Sequence, residues 1–259
     1  MTGLADSVVR IGPALAVALV LLSMLAIGLN YLGRTGHAVD AAVSILRAAG
    51  QLAVLAAVLA LVIASLWASA AFVLLMSGVA AWTSAGRMLP ERNWASAGWR
   101  VHATNAARCL LPVAAPTAVV VIALVLSGVL PPTGLAVIPT AGIMLGGAMN
   151  TTSLAGRYAY QALRDRHGEV EAALSLGLSD SEAREMIVRP AAASALIPGL
   201  DQTKSVGLVT IPGAFVGMVL GGASVAAAAV MQLFVLIALL GVSSVALVVT
   251  AAMVSRHAR

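Results

Sequence analysis

Residues 171–190 read EAALSLGLSDSEAREMIVRP and form a polar stretch between two very apolar parts of the chain. The first residues of this stretch can form a short amphipathic helix, and Gly177 permits the sharp turn that would end it. Ser179 or Asp180 can cap a second helix, with Glu182 in its first turn. The pattern therefore predicts a small helical hairpin. An ordinary connection between two membrane spans would fit the same residues, so the surrounding sequence must decide.

The surrounding sequence has the composition of a membrane protein. Of its 259 residues, 61% are hydrophobic and 10% are charged, and the mean hydropathy is +1.00. This balance lies well outside that of soluble domains. A helix of roughly 20 apolar residues spans the hydrocarbon of a bilayer. The sequence therefore predicts an all-α polytopic protein that forms one membrane domain over residues 1–259. The seven predicted spans are 11–32, 48–64, 66–85, 109–130, 135–155, 191–220 and 225–254.

The basic residues predict the orientation of these spans. With seven crossings, the loops 33–47, 86–108 and 156–189 share one side with the C-terminus. When Lys204 is counted with the nearer loop, this side holds all but Arg10 of the 15 lysines and arginines. Such a bias marks the cytosolic side, so the N-terminus is expected outside and the C-terminus in the cytosol. Six spans would lose this separation. Because the charges are dispersed over several loops, a nucleic-acid partner is the poorer explanation of the net charge of +5.

The polar stretch also resembles the EAA loop of ABC transporter permeases, on which the transporter's ATPase docks. The family pattern has Glu-Ala-Ala, a glycine, an isoleucine and a proline at these spacings, and it usually has leucine where this chain has Arg189. The resemblance implies a cytosolic coupling loop over about residues 157–190. The residues that carry it are Glu171, Ala172, Ala173, Gly177, Ile187 and Pro190.

Longer blocks extend the resemblance along nearly the whole chain, to the FetB (YbbM) family of ABC permeases. This family is associated with iron export in bacteria, and its plant relatives are linked to aluminium tolerance. The sequence departs from the family at Gly147, where asparagine is expected, and Asn150 follows shortly after. The blocks are RAAGQL at 47–52, AAW at 80–82, IPTAGIMLGGAM at 138–149 and IPGLDQTKSVGLVTIPG at 197–213.

The resemblance implies a permease subunit in the bacterial cytoplasmic membrane. Two copies would form the transport path, and two copies of a separate ATPase would bind ATP and Mg. The chain itself is then no enzyme and binds no cofactor. The expected cargo is iron or another divalent metal, and the alternative is a nucleotide sugar or another anion. Residues 199–205 look superficially like a P-loop but lack the glycine required directly before Lys204.

The last two blocks also contain the candidates for the transport path. The run 191–220 would measure about 45 Å as one continuous helix, so it should begin in the cytosol. Asp201 and Lys204 would then lie near the inner boundary, where an i, i+3 pair can form. Asp201 fits either a cation contact or an interfacial anchor. Pro198 and Pro212 could kink the helix and free backbone carbonyls.

The remaining path candidates lie in the fifth span. Met144 and Met149 fit either thioether ligands or ordinary core packing, and iron(II) prefers imidazole or carboxylate. Asn150 offers an amide close to them. The complete set of path candidates is Met144, Met149, Asn150, Asp201 and Lys204, and the sequence predicts no metal-ligand set.

Two other classes of membrane protein are alternatives to the permease. An ion-coupled secondary transporter should carry charges deep in several spans and show inverted repeats. An intramembrane zinc protease should contain His-Glu-x-x-His. Neither pattern occurs in the sequence, whose four histidines all fall in predicted loops, and Cys109 is its only cysteine. These observations favour the permease.

Overall fold

A computed structural model describes residues 12–63, 65–88 and 98–257. In these ranges the regular structure is helical, apart from an isolated bridge between Val206 and Thr210. A 3₁₀ turn, Ser194–Leu196, joins the seventh helix to the eighth. The predicted all-α class is confirmed. The helices are α1 (Pro13–Leu32), α2 (Ala38–Ile63), α3 (Leu66–Met88), α4 (Gly98–Leu126), α5 (Gly134–Asp165), α6 (His167–Ser175), α7 (Asp180–Ala193), α8 (Ile197–Ser205), α9 (Gly213–Leu220) and α10 (Val225–His257).

Six of these helices, α1 to α5 and α10, are long and apolar enough to cross a membrane. The turn predicted between the second and third spans is confirmed, since α2 ends at Ile63 and α3 begins at Leu66. Ser69 joins the two helices: its hydroxyl lies 2.9 Å from the carbonyl oxygen of Val62 and 3.0 Å from that of Ser65. One serine side chain thus bonds to carbonyl groups on both sides of the helix break.

Two buried clusters hold α3, α4, α5 and α10 together. The end cluster also includes residues of α7, and the middle cluster lies farther along the same helices. Alanine makes up most of the end cluster, which allows the helices to approach closely there, whereas larger side chains outnumber alanine in the middle cluster. The end cluster contains Ala81, Ala85, Met88, Ala106, Cys109, Ala155, Ala159, Val188, Ala192, Ala195, Ala251 and Val254. The middle cluster contains Ala80, Val113, Val121, Leu130, Ala141, Met144, Leu145, Ala148, Val242 and Ala246.

The order of these residues along the chain gives the direction of each helix. In α3, α5 and α10, residues of the middle cluster precede those of the end cluster, and in α4 they follow them. The C-terminal ends of α3, α5 and α10 and the N-terminal end of α4, which border the predicted loops 86–108 and 156–189, therefore share one end of the bundle. Gly134, at the start of α5, lies against Ile63 at the opposite end. The packing thus groups these loops as the basic residues predict.

Helices α5 and α10 pack in parallel. Thr152 and Thr250 meet with their hydroxyl oxygens 3.5 Å apart, and nearer the other end Gly147 faces Ser243. Since both helices run in the same direction across the bundle, residues 166–224 must pass once from one end to the other. Together with the six long helices, this segment makes seven passes through the bundle, and it is the sixth of them in chain order.

This crossing, the predicted span 191–220, is broken and is not one continuous helix. Helix α8 ends at Ser205, and α9 begins only at Gly213. Between them Gly207 adopts φ +82°, and its N–H donates to Thr210 O at 2.9 Å. Pro212 has no N–H with which to continue a helix, and it stands at the N-cap of α9.

The same geometry corrects the predicted role of the prolines. Pro198 occupies the first turn of α8, a position where the missing N–H costs nothing. Pro198 and Pro212 therefore mark the starts of two short helices and do not kink one long helix. The carbonyl oxygen of Ser205 accepts hydrogen bonds from the N–H groups of Leu208, Val209 and Thr210, which closes the end of α8.

Candidate coupling loop and broken crossing

The predicted hairpin is formed by α6 and α7. Gly177 makes the turn between them with φ +90°, a conformation that favours glycine. Its N–H donates to Leu174 O at 3.0 Å, and the next N–H, of Leu178, donates to Ala173 O at 3.2 Å. These two bonds close α6 in the manner of a glycine C-cap. The turn that the sequence predicts at Gly177 is confirmed.

Ser179 and Glu182 form a capping box at the start of α7. The Ser179 N–H donates to Glu182 Oε2 at 2.9 Å, and the Glu182 N–H donates to the Ser179 hydroxyl at 3.4 Å. The Ser179 hydroxyl also donates to Glu182 Oε2 at 2.6 Å, and this bond, followed by the one from the Ser179 N–H, lowers the pKa of Glu182. Because the carboxylate is stabilised in its charged form, the cap persists at acidic pH below the usual range of a glutamate.

The hairpin has its own small core, and motif residues divide between this core and the surface. Val170 and Ala173 of α6 pack against Ala183 and Ile187 of α7, and all four are buried. Thus Ala173 and Ile187 hold the hairpin together. Glu171, Ala172 and Pro190 are exposed.

The outer surface of the hairpin is both charged and apolar. Leu176 is 83% exposed at the tip. Glu171 lies 3.4 Å from His167 Nδ1, and Arg189, the departure from the EAA pattern, pairs with Glu185. A surface of this kind, with an apolar tip within a polar rim, is typical of protein contact sites.

Helix α7 connects the hairpin directly to the membrane bundle. Val188 and Ala192 are buried in the end cluster, together with Ala155 of α5 and Val254 of α10. The 3₁₀ turn then leads from α7 into α8. Any displacement of the hairpin is therefore transmitted to the broken crossing through a packed helix, not through a flexible linker.

A cavity of about 140 Å³ lies between α5, α8 and α10. Asn150, one of the predicted path candidates, lines it. Its other polar residues are Thr151, Gln202, Thr203 and Ser243. Gly147 lines the same cavity, and a Cβ at this position would overlap Leu239 of α10. A glycine here allows α5 and α10 to approach, which gives the departure from the family's asparagine a packing role.

The other path candidates lie elsewhere. Asp201 and Lys204 project from α8 away from the cavity, with side chains 65% and 75% exposed, and form an i, i+3 pair at 3.8 Å. Met144 is buried in the middle cluster, and Met149 packs against it. The structure thus brings Asn150 close to α8 but separates it from the charged pair and from Met144. Within the described residues, no group of three His, Cys, Asp or Glu side chains could hold a metal ion.

Sequence reasoning missed most of the polar cavity. Gln202 and Thr203 lie directly between Asp201 and Lys204, and Ser243 interrupts the apolar run of the last span. Polar side chains inside predicted spans are the signal that could have found them, since such groups need polar neighbours within a membrane.

The fold defines a multi-pass helical membrane protein with a helical hairpin packed onto one end of its bundle. The chain belongs to the family described as "Uncharacterised protein family (UPF0014)", whose profile matches residues 13–258. No solved structure matches it.

Several curated proteins are similar to the chain. The UPF0014 membrane protein STAR2 of Oryza sativa subsp. japonica is 38% identical over 51% of this chain and 46% of its own length. The probable iron export permease protein FetB of Escherichia coli strain K12 is 32% identical over 49% of each. The UPF0014 membrane protein YjkA of Bacillus subtilis strain 168 is 27% identical over 82% of this chain and 81% of its own. The first two matches span about half the length of those relatives.

Proposed function

We propose that this chain is the membrane subunit of an ABC transporter that exports iron or another divalent metal. ATP and Mg would be held by a separate ATPase, in two copies, beside two copies of this chain. The observation that carries the proposal is the hairpin α6–α7, which combines an exposed contact surface with a packed connection into the bundle. The printed name of the Escherichia coli relative supports the cargo.

The packing of α7 explains how ATP binding would drive transport. An ATPase bound to the hairpin would move α6 and α7 when it closes on ATP. Because Ile187 is buried in the hairpin core and Val188 in the end cluster, α7 would move as a rigid element. The motion would reach α8 and change access to the cavity at Asn150. Movements of packed helices of this kind drive alternating access.

The polar cavity suits a cargo that keeps its water. Amide and hydroxyl groups, such as those of Asn150 and Ser243, can hydrogen-bond to the water of a hydrated cation but carry no charge with which to strip it. The carboxylate of Asp201 and the thioethers of Met144 and Met149 remain candidates for direct cation contacts, with Lys204 beside Asp201. An uncharged polar lining of this kind is compatible with a hydrated divalent cation as cargo.

A reconstitution experiment tests the proposed function. The chain and the ATPase that co-purifies with it are placed in vesicles, and ATP hydrolysis is measured against iron(II), manganese(II) and UDP-glucose. We expect the metals to raise hydrolysis several-fold and the nucleotide sugar to have no effect, because the cavity carries no cationic group for a diphosphate. A response to UDP-glucose alone would instead support the anion permease. Absence of any co-purifying ATPase would contradict the ABC assignment.

The proposed orientation has its own test. In a Cys109→Ala background, Pro132→Cys and Ser181→Cys each place one exposed thiol at opposite ends of the bundle. A membrane-impermeant maleimide added to intact cells should label Pro132→Cys, and it should label Ser181→Cys only after permeabilisation. The expected orientation follows from the basic residues on the side of the hairpin. The reverse labelling pattern would place the hairpin outside the cell and exclude a cytosolic ATPase.

A further inference from the structure

The face of α8 opposite the cavity carries two charges within the depth of the membrane. Asp201 and Lys204 expose most of their side chains there. Helix α8 follows Ala195, which is buried in the end cluster together with Ala155 of α5. Asp201 and Lys204 lie six and nine residues farther along, or about 9 and 14 Å of helix, which reaches well into a hydrocarbon layer about 30 Å thick. Lipid is a poor neighbour for charges at that depth, so another polar surface must cover them.

The backbone beyond α8 leads to the same conclusion. Residues 206–212 are not helical, and non-helical backbone at membrane depth occurs only where protein or water covers it. Leu208, Val209 and Ile211 project from this break, and Leu208 is 90% exposed. Lipid would accept these side chains, but it offers no hydrogen bond to the non-helical backbone beside them. The combination of apolar groups, free backbone and charge is that of a protein contact.

The charges select a second copy of the chain as the partner. A two-fold symmetric contact brings the same surface of both copies together, so that each group meets its counterpart reciprocally. Asp201 and Lys204 have opposite charges and lie about one turn apart on one face, which makes this surface complementary to itself. Within one copy their 3.8 Å separation is longer than a charge-assisted hydrogen bond, about 2.7–2.9 Å. Both groups can therefore accept another partner.

We propose that the outward face of α8, formed by Ile197, Leu200, Asp201 and Lys204, meets the same face of a second copy together with the break at 206–212. Asp201 of each copy pairs with Lys204 of the other. The inference rests on the proposed two-copy permease and adds the surface through which the copies meet.

Two single charge reversals test this pairing between copies. Asp201→Lys makes one copy positive at both positions, and Lys204→Asp makes the other negative at both. Each variant should lose most of its self-association, measured by capture between two differently tagged copies in native membranes. Co-expressed, the two variants should capture each other on the order of tenfold more often than themselves, because every pair between the copies is then attractive. Within each copy the pairs remain repulsive, so a local effect on α8 cannot produce this preference.

A matched control uses the pair of Asp180 and Arg184 on α7, whose side chains are 64% and 21% exposed and whose atoms lie 2.6 Å apart. Asp180→Arg and Arg184→Asp should show no preference for each other. The proposal is overturned if unaltered copies do not capture one another or if the α8 variants mix at random. Capture of the ATPase by the same α8 variants distinguishes failure of this contact between copies from failure of the proposed permease function. Random mixing with retained ATPase would reject this surface and leave the permease function intact, whereas loss of ATPase from the unaltered chain would reject the function.

Discussion

A Gly177→Val variant is expected to co-purify with roughly a tenth or less of the ATPase that the unaltered chain retains. Gly177 has φ +90°, and a branched side chain in that region costs about 1–3 kcal/mol. About 1.4 kcal/mol already corresponds to a tenfold change in an equilibrium. The turn would therefore open and displace the tip that carries Leu176. The measurement is the ratio of ATPase to tagged chain after purification from native membranes.

The matched control is Gly168→Val in the same hairpin. A Cβ at Gly168 would meet no atom within 4 Å, and the residue does not have a left-handed φ. This variant should retain nearly all of the ATPase. Glu171→Lys keeps the turn but reverses an exposed charge, so it should weaken capture without affecting membrane insertion. If Gly177→Val and Glu171→Lys both retain normal amounts of ATPase and normal transport, the hairpin is only a connector.

A Gly134→Ala variant is expected to lower the thermal unfolding temperature in detergent by several degrees. A Cβ at Gly134 would overlap the Ser69 hydroxyl and lie 3.0 Å from Cα and 3.2 Å from the carbonyl oxygen of Ile63. The backbone of Ile63 cannot yield as a flexible side chain would. Overpacking of this kind costs about 1–3 kcal/mol. Displacement of Ser69 would also disturb its bonds to Val62 and Ser65, which join α2 to α3.

Gly146→Ala is the matched control for this effect. It lies in the same helix, α5, and a Cβ there would meet no atom within 4 Å. Alanine is a better helix former than glycine by about 1 kcal/mol, so this variant should unfold at the same temperature as the unaltered chain or slightly higher. Equal unfolding temperatures for the two variants would show that α2 and α5 do not approach closely at Gly134.

Features set by neighbouring residues could be predicted from the sequence. The hairpin is an example, because a glycine at the turn and a serine three residues before a glutamate are sufficient to end one helix and cap the next. The grouping of the loops is another, because it follows from the lengths of apolar runs and the positions of basic residues. The break before Pro212 also has a local signal, the glycine at 207. This signal is easily overlooked because the apolar run 191–220 is long enough to form one span.

Other features depend on residues far apart in the sequence, and only the tertiary structure decided them. The parallel packing of α5 and α10 brings Thr152 against Thr250, and the cavity forms where α8 lies against both helices. No local pattern specifies which face of α8 turns inwards, although that choice separates Gln202 from Asp201 and Lys204. The physical reason is that the inward face of a short helix is set by its packing against helices that are distant in the sequence. Chain-local propensities determine only that a helix forms there.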